Sequence, residues 1–171
     1  VQGLMSLLSS TIDGELADLM KNNVRLQVVG DWNLPNALAD KLRKSVEQTK
    51  NNTGLTLVLA LSYSGRWDMT QAAKAIAREV AEGKLAPDQI DDSVFQNHLA
   101  TAQTPDPELV IRTSGEFRIS NFLLWQAAYS EFYFTSTLWP DFNAEELYKA
   151  IVDYQHRERR FGKTSEQVEK K

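Results

Sequence analysis

Leu55 to Leu61 reads LTLVLAL, a run in which Thr56 alone is polar. A strand buried on both faces of a parallel sheet reads this way, and such sheets are built with helices between their strands. The rest of the chain is read against that requirement. Leu4, Leu7, Leu8, Ile12, Leu16, Leu19 and Met20 recur at spacings of three and four, which predicts an opening helix. Val24 to Val29 (VRLQVV) is a short strand punctuated by Gly30-Asp31, and Asn36 to Lys50 is a polar helix with Pro35 beside its start. Asn52-Thr53-Gly54 is a turn signal before the apolar run.

After that run, a helix is expected from about Asp68 to Glu82, ending at Gly83, and a weaker one from Pro87 to Ala100. Glu108 to Arg112 (ELVIR) is a buried strand, Thr113 to Ser120 a loop, and Asn121 to Tyr129 a short helix. Glu131 to Thr135 (EFYFT) is an aromatic strand, and Asn143 to Arg160 an amphipathic helix with apolar Leu147, Ala150, Ile151 and Tyr154. Strands alternate with helices, so the expected class is α/β, with a mostly parallel central sheet flanked by helices. No repeat or linker interrupts the pattern. The expectation is a single domain over residues 1–162 and a charged, flexible tail over 163–171.

Several classes are disfavoured by composition. A net charge of −4 and a pI near 5.2 are a poor starting point for nucleic-acid binding, and no nucleic-acid partner is expected. The absence of cysteine removes disulfides, thiolate zinc sites and a Cys nucleophile, and fits a cytoplasmic protein. His98 and His156 are too far apart to form a spaced ligand motif. No apolar run approaches the roughly 20 residues of a membrane span, and Val1 to Leu8 has no basic flank of a signal peptide. Because residue 1 is Val rather than Met, sequence upstream of it is expected.

In open α/β sheets ligands sit beyond the C-terminal ends of strands, which directs attention to the segment after ELVIR. From Arg112 to Asn121 it reads RTSGEFRISN, with two arginines, three hydroxyls and a glycine. Arginine donors match phosphate oxygens, hydroxyls add neutral donors, and Gly115 permits close approach of backbone N–H groups to an anion. The cluster suits a phosphate or diphosphate. By spacing alone it equally suits a surface loop whose arginines pair with Glu116 and other acids. No generic phosphate motif of the GxxxxGK[ST] or GxGxxG type is present. Glu131 stands before the aromatic strand, where it is either a solvated turn residue or a carboxylate for a Mg²⁺ ion shared with a diphosphate.

Four blocks carry a resemblance. Arg112 to Phe142 (RTSGEFRISNFLLWQAAYSEFYFTSTLWPDF), Glu158 to Gly162 (ERRFG), Gly54 to Trp67 (GLTLVLALSYSGRW) and Asn23 to Asp31 (NVRLQVVGD) resemble, in this order, the cis-prenyltransferase family of undecaprenyl diphosphate synthases. The first block is long and irregular, which makes it far more specific than any short motif. The resemblance implies a Mg²⁺-dependent transferase of isoprenoid biosynthesis. It would condense isopentenyl diphosphate onto farnesyl diphosphate, forming each new double bond cis and making undecaprenyl diphosphate, the peptidoglycan lipid-carrier precursor.

The same resemblance implies residue roles. Arg112, Arg118 and Ser120 would hold the diphosphate of isopentenyl diphosphate, with Arg112, Arg118 and Glu131 forming the catalytic set and Glu131 binding Mg²⁺. Gly115 and Glu116 would shape the loop, while Arg160 and Gly162 would support the site across a homodimer interface. The long product would occupy a tunnel lined by Leu4, Leu7, Leu8, Leu55, Leu57 and Leu59. Its destination implies a cytoplasmic enzyme peripheral to the inner membrane.

The resemblance has gaps. An Asp-Gly-Asn-Gly-Arg-Trp loop, which binds Mg²⁺ and the allylic diphosphate in the family, is absent, and Gly65-Arg66-Trp67 lies in a different block. Ser62, Ser64 and Phe117 stand where Asn, Gly and, in some members, His occur. The chain by itself is therefore expected to be inactive in prenyl transfer. A non-catalytic partner subunit of a two-component enzyme is the alternative, disfavoured by the joint presence of Arg112, Arg118, Ser120 and Glu131. An unrelated phosphate-binding module would not need the aromatic block from Phe122 to Phe134.

Overall fold

The computed structural model describes residues 2–157, with the side chains of residues 2, 4–6 and 13 left aside. Arg160, Gly162 and the tail after Gly162 lie outside the described residues. Internal contacts divide the chain into two compact units, Val1–Gln103 and Thr104–Lys171.

The first unit is built around one strand pair. Helix α1 (Gln2–Lys21) leads to strand β1 (Arg25–Val29), helix α2 (Asn36–Thr49) crosses over, and strand β2 (Thr56–Ala60) lies parallel to β1 with Arg25 opposite Thr56 and Val29 opposite Ala60. Leu38, Ala39, Leu42, Ser45 and Thr49 form the buried stripe of α2 at helical spacing. With Ile12, Leu26 and Leu34, its apolar members make the core of this unit. Buried Thr49 is satisfied by accepting Leu26 N–H at 3.0 Å and donating to Ser45 O at 2.9 Å, which ties α2 to β1.

Helix α3 (Gly65–Ala81) starts at Ser64, whose side chain accepts from Trp67 N–H at 3.3 Å. The expected weaker helix from Pro87 resolves into a 3-10 turn (Pro87–Gln89) and the short helix α4 (Asp92–Asn97), capped by Asp91 accepting from Val94 N–H at 2.8 Å. The break falls where Pro87 and the Asp91 cap interrupt the helical backbone.

In the second unit, strands β3 (Leu109–Arg112) and β4 (Glu131–Phe134) form another parallel pair, with Leu109 opposite Glu131 and Arg112 opposite Phe134. A 3-10 turn (Trp139–Asp141) precedes helix α5 (Ala144–Gln155), capped by Asn143, which accepts from the N–H groups of Glu145 and Glu146. The short helix expected over Asn121–Tyr129 is instead a succession of turns. Asn121 and Leu123 sit at φ +65° and +47°, which no α-helix accommodates.

The α/β class and its parallel pairing stand: among the described residues β1 pairs with β2 and β3 with β4. The expectation that LTLVLAL is buried on both faces is corrected. Leu55 is 70 % exposed and Leu57 39 %, while Leu59 and Leu61, farther along the run, pack against the core.

Candidate functional site

Arg112 is the last residue of β3, and the chain turns immediately after it. Ser114 and Gly115 both take left-handed backbone, at φ +67° and +65°. Glycine adopts this region without strain, and serine at a cost that the surroundings must offset. Here the offset is a pair of bonds to the segment after β4: Ser114 N–H donates to Thr137 O and Gly115 N–H to Thr135 O, each at 2.9 Å. The Gly115 N–H is already engaged, so the glycine serves the turn.

The turn forms one wall of a cavity of about 410 Å³. Arg112, Thr113, Ser114 and Arg118 bring polar groups to it, while Phe132, Phe134 and Trp139 bring aromatic surface. Phe132 and Phe134 are stacked, with ring centroids 5.9 Å apart and planes within 9°. A concave site with convergent cationic groups on one side and apolar surface on the other suits a small amphiphilic anion.

The two arginines differ in state. Arg118 is exposed and paired with Glu116, as the surface-loop reading anticipated. Arg112 is half-buried, and no ion pair or side-chain hydrogen bond engages it among the described residues. A guanidinium stays protonated, and a partly desolvated one without a counterion is a ready anion receptor.

Other expected site residues fall elsewhere. Ser120 is exposed at φ +48° and, like Glu116 and Gly115, does not line the cavity. Glu131 begins β4, three residues before Phe134, the register partner of Arg112. The strand rise places those two ends about 10 Å apart. The Glu131 carboxylate accepts from Arg157 at 2.9 Å, and Arg157 also donates to Phe132 O at 2.9 Å and pairs with Asp153. Glu131, then Asp153, holds the Arg157 guanidinium above its ordinary pKa, with burial opposing.

Magnesium is tested by the same geometry. No group of three or more His, Asp or Glu capable of holding a metal occurs among the described residues, and Glu131 is already partnered by a cation. The described residues therefore do not by themselves fit a Mg²⁺ site.

The residues expected to line a tunnel belong to the first unit. Leu8 and Leu59 pack against its core, Leu7, Leu55 and Leu57 are exposed, and the side chain of Leu4 lies outside the description. Of the five described, none lines the cavity described above. Sequence reading missed Trp139 and Phe134 as cavity residues and Arg157 as the partner of Glu131. The spacing of Asp153 and Arg157, four apart near the end of a helix, signals their own pair, and no local spacing signals the contact of Arg157 with Glu131, 26 residues away.

Residues 1–162 match the family model described as "Putative undecaprenyl diphosphate synthase". An isoprenyl transferase of Porphyromonas gingivalis is 54 % identical over 169 residues, covering 98 % of this chain; the chain spans 66 % of that relative's length. A ditrans,polycis-undecaprenyl-diphosphate synthase ((2E,6E)-farnesyl-diphosphate specific) of Pasteurella multocida is 49 % identical over 167 residues, which are 97 % of this chain and 70 % of the relative. Among solved structures, lavandulyl diphosphate synthase from Lavandula x intermedia, in complex with dimethylallyl diphosphate, superposes with a TM-score of 0.91 at 38 % identity. That match covers 94 % of this chain and 70 % of the other. With the family's sequence pattern running through residue 162 and its fold reproduced at this level, the chain belongs to the undecaprenyl diphosphate synthase family of prenyltransferases.

Proposed function

We propose that this chain carries the isopentenyl diphosphate side of a cis-prenyltransferase active site. The enzyme's reaction is the sequential cis-condensation of isopentenyl diphosphate onto farnesyl diphosphate, giving undecaprenyl diphosphate. The observation that carries the reading is half-buried Arg112, without a counterion among the described residues, in a cavity whose other wall is aromatic. A diphosphate headgroup meets the cationic wall and a five-carbon apolar tail meets the rings. Farnesyl and dimethylallyl diphosphates, named for the Pasteurella and Lavandula relatives, belong to the same chemical class of substrate.

In this reading Arg112 and Ser114 bind the diphosphate, and Arg118 exchanges Glu116 for it. Holding the five-carbon unit in place beside an allylic carbon contributes the proximity that a bimolecular condensation otherwise lacks. Ser120, Gly115 and Glu116 shape the loop rather than face the ligand. Magnesium would neutralise charge on the allylic leaving group, but Glu131 is bound by Arg157, so no step of the ligand's binding is routed through the ion. Homodimer formation and residence in the cytoplasm, at the inner membrane, are part of the same proposal. No helix among the described residues is long and apolar enough to cross a membrane.

The test is calorimetric titration of the 171-residue chain with isopentenyl diphosphate, with and without Mg²⁺, beside Arg112→Ala and Arg118→Ala. Metal-independent binding that Arg112→Ala abolishes supports the reading. A folded chain with no affinity, or an Arg112→Ala variant that binds like the parent, overturns it.

A further inference from the structure

The cationic turn is held from outside itself. Ser114 and Gly115 donate to the carbonyls of Thr137 and Thr135, and Thr135 N–H returns a bond to Arg112 O at 3.0 Å. The segment that receives these bonds follows the end of β4 and has no ladder of its own, so its conformation must be fixed by other means. Side chains fix it. Thr137 N–H donates to Thr135 Oγ1 at 3.2 Å, the Thr135 hydroxyl donates to Thr137 Oγ1 at 3.0 Å, and the Thr137 hydroxyl donates to Glu146 Oε2 at 3.0 Å.

The direction of this relay follows from chemistry. An ionised carboxylate only accepts, so Thr137 must donate to Glu146 and is free to accept from Thr135. Glu146 is anchored in turn. It lies in the first turn of α5, where the helix dipole favours a negative charge. Lys149 donates to its other oxygen at 2.7 Å, and its side chain is only 19 % exposed. The bonds from Lys149 and Thr137 hold its carboxyl below the usual carboxylate range.

We propose that Thr137 and Glu146 are positioning residues for the diphosphate site: the hydroxyl–carboxylate bond from the segment after β4 to α5 fixes the two carbonyls from which the Arg112–Gly115 turn hangs. Neither side chain lines the cavity. Their effect reaches the ligand through preorganisation, since a turn that must be ordered at the moment of binding lowers affinity without removing a contact. The inference rests on the diphosphate reading of the cavity, and the experiment separates the two.

The 171-residue chain is titrated calorimetrically with inorganic pyrophosphate, well below the unfolding midpoint of each variant. Thr137→Val keeps the side-chain shape and removes the donor; Thr137→Ser keeps the donor and removes a methyl; Glu146→Gln keeps an acceptor and removes the charge; Arg112→Ala reports on the site itself. Expected is a loss of affinity of about three- to tenfold in Thr137→Val, a smaller loss in Glu146→Gln, and recovery to within about twofold in Thr137→Ser. A Thr137→Val that binds like the parent, while Arg112→Ala does not, overturns the positioning role and leaves the site reading intact. Equal losses in Thr137→Ser and Thr137→Val also overturn it, because the methyl rather than the hydroxyl would then matter. Should Thr137→Val fail to fold, Thr137→Ser at parental affinity with a weakened Glu146→Gln supports the role, and an unweakened Glu146→Gln overturns it. If the parent fails to bind, or Arg112→Ala binds unchanged, the diphosphate reading falls and takes this inference with it.

Discussion

Arg157, just beyond the end of α5, donates through one nitrogen to both the Glu131 carboxylate and the Phe132 carbonyl, each at 2.9 Å. The bond pair clasps the first turn of β4 to the helix that packs on it. Both side chains are about one-third exposed, so solvent screens the ion pair and the backbone carbonyl contributes much of the value. Arg157→Met is expected to lower unfolding free energy by about 1 kcal/mol, and Glu131→Gln by less, because the amide oxygen still accepts. Urea unfolding of both variants checks the order. A larger loss in Glu131→Gln would mean that the carboxylate has a role beyond this clasp.

His98 gives the first unit a pH dependence. Its Nδ1 lies 2.7 Å from Val94 O and its Nε2 3.1 Å from Glu79 Oε1, so both ring nitrogens face acceptors and only the imidazolium satisfies both. The bond to Val94, then that to Glu79, raises its pKa above the usual 6.5, with burial opposing. A raised folded-state pKa means that the protonated form is favoured by folding. This stabilisation is complete below pH 6.5 and is lost as pH rises through the folded value. The urea midpoint of the parent should therefore fall on going from pH 6 to pH 8 relative to that of His98→Gln. The difference amounts to less than about 1 kcal/mol for a partly exposed contact. Parallel profiles would remove His98 as the cause.

How far the sequence reveals this molecule depends on whether a feature is local. The strands and the longer helices of both units follow from periodicity and from punctuation at Pro35, Gly30 and Gly83; strand ends shift by at most one residue, whereas α4 begins five residues after Pro87 and α5 ends at Gln155, five residues short of the expected bound. The turn after ELVIR stood out as a candidate anion loop because its residue types are concentrated in ten positions, although the same spacing suits a surface loop equally. What failed was non-local. Nothing in the spacing of Arg112 and Glu131 states that parallel pairing sends them to opposite ends of β3 and β4. The positive φ angles of Asn121 and Leu123, which replace a helix by turns, are imposed by packing that a leucine's own preferences oppose. Burial of LTLVLAL was inferred from composition alone, but which face is covered depends on where α1 and α2 settle.

Gly30 is the position where a single methyl should do most damage. It ends β1 at φ +119°, and a Cβ there would stand 2.0 Å from Leu61 O and 3.1 Å from the Tyr63 Cβ. The obstructing atom is backbone of the segment that leaves β2, held by Leu61 N–H donating to Val29 O at 2.9 Å, so it cannot swing aside. Strain at the dihedral adds to the clash. Gly30→Ala is expected to lose about 3 kcal/mol or more, or to fail to fold. Gly14→Ala, where nothing lies within 4 Å of the added carbon, is the control, and helix propensity makes it neutral to stabilising. Comparable midpoints for the two variants would contradict the assigned backbone at Gly30.

Asp68 joins two loops of the first unit. One carboxylate oxygen accepts from the Tyr63 hydroxyl at 2.8 Å, in the loop after β2, and the other from Ala100 N–H at 2.7 Å, beyond α4. The residue is 1 % exposed. A carboxylate withdrawn from water to this degree is tolerated only because it is bonded. Removing it takes one acceptor from the part-buried Tyr63 hydroxyl and one from the Ala100 N–H, so Asp68→Ala should cost about 2 kcal/mol. Asp68→Asn retains one good acceptor, for Ala100, and the tyrosine hydroxyl can rotate to accept from the new amide, so its cost should be nearer 1 kcal/mol. Tyr63→Phe removes the bond that the hydroxyl donates to Asp68, which should also cost about 1 kcal/mol. Because Tyr63 and Asp68 share a bond, their effects should not add. The double variant Tyr63→Phe with Asp68→Asn should be less destabilised than the sum of the single losses by at least about 0.5 kcal/mol. Urea unfolding of the four-member cycle measures this directly. Strict additivity would mean that the Tyr63–Asp68 bond does not form in solution.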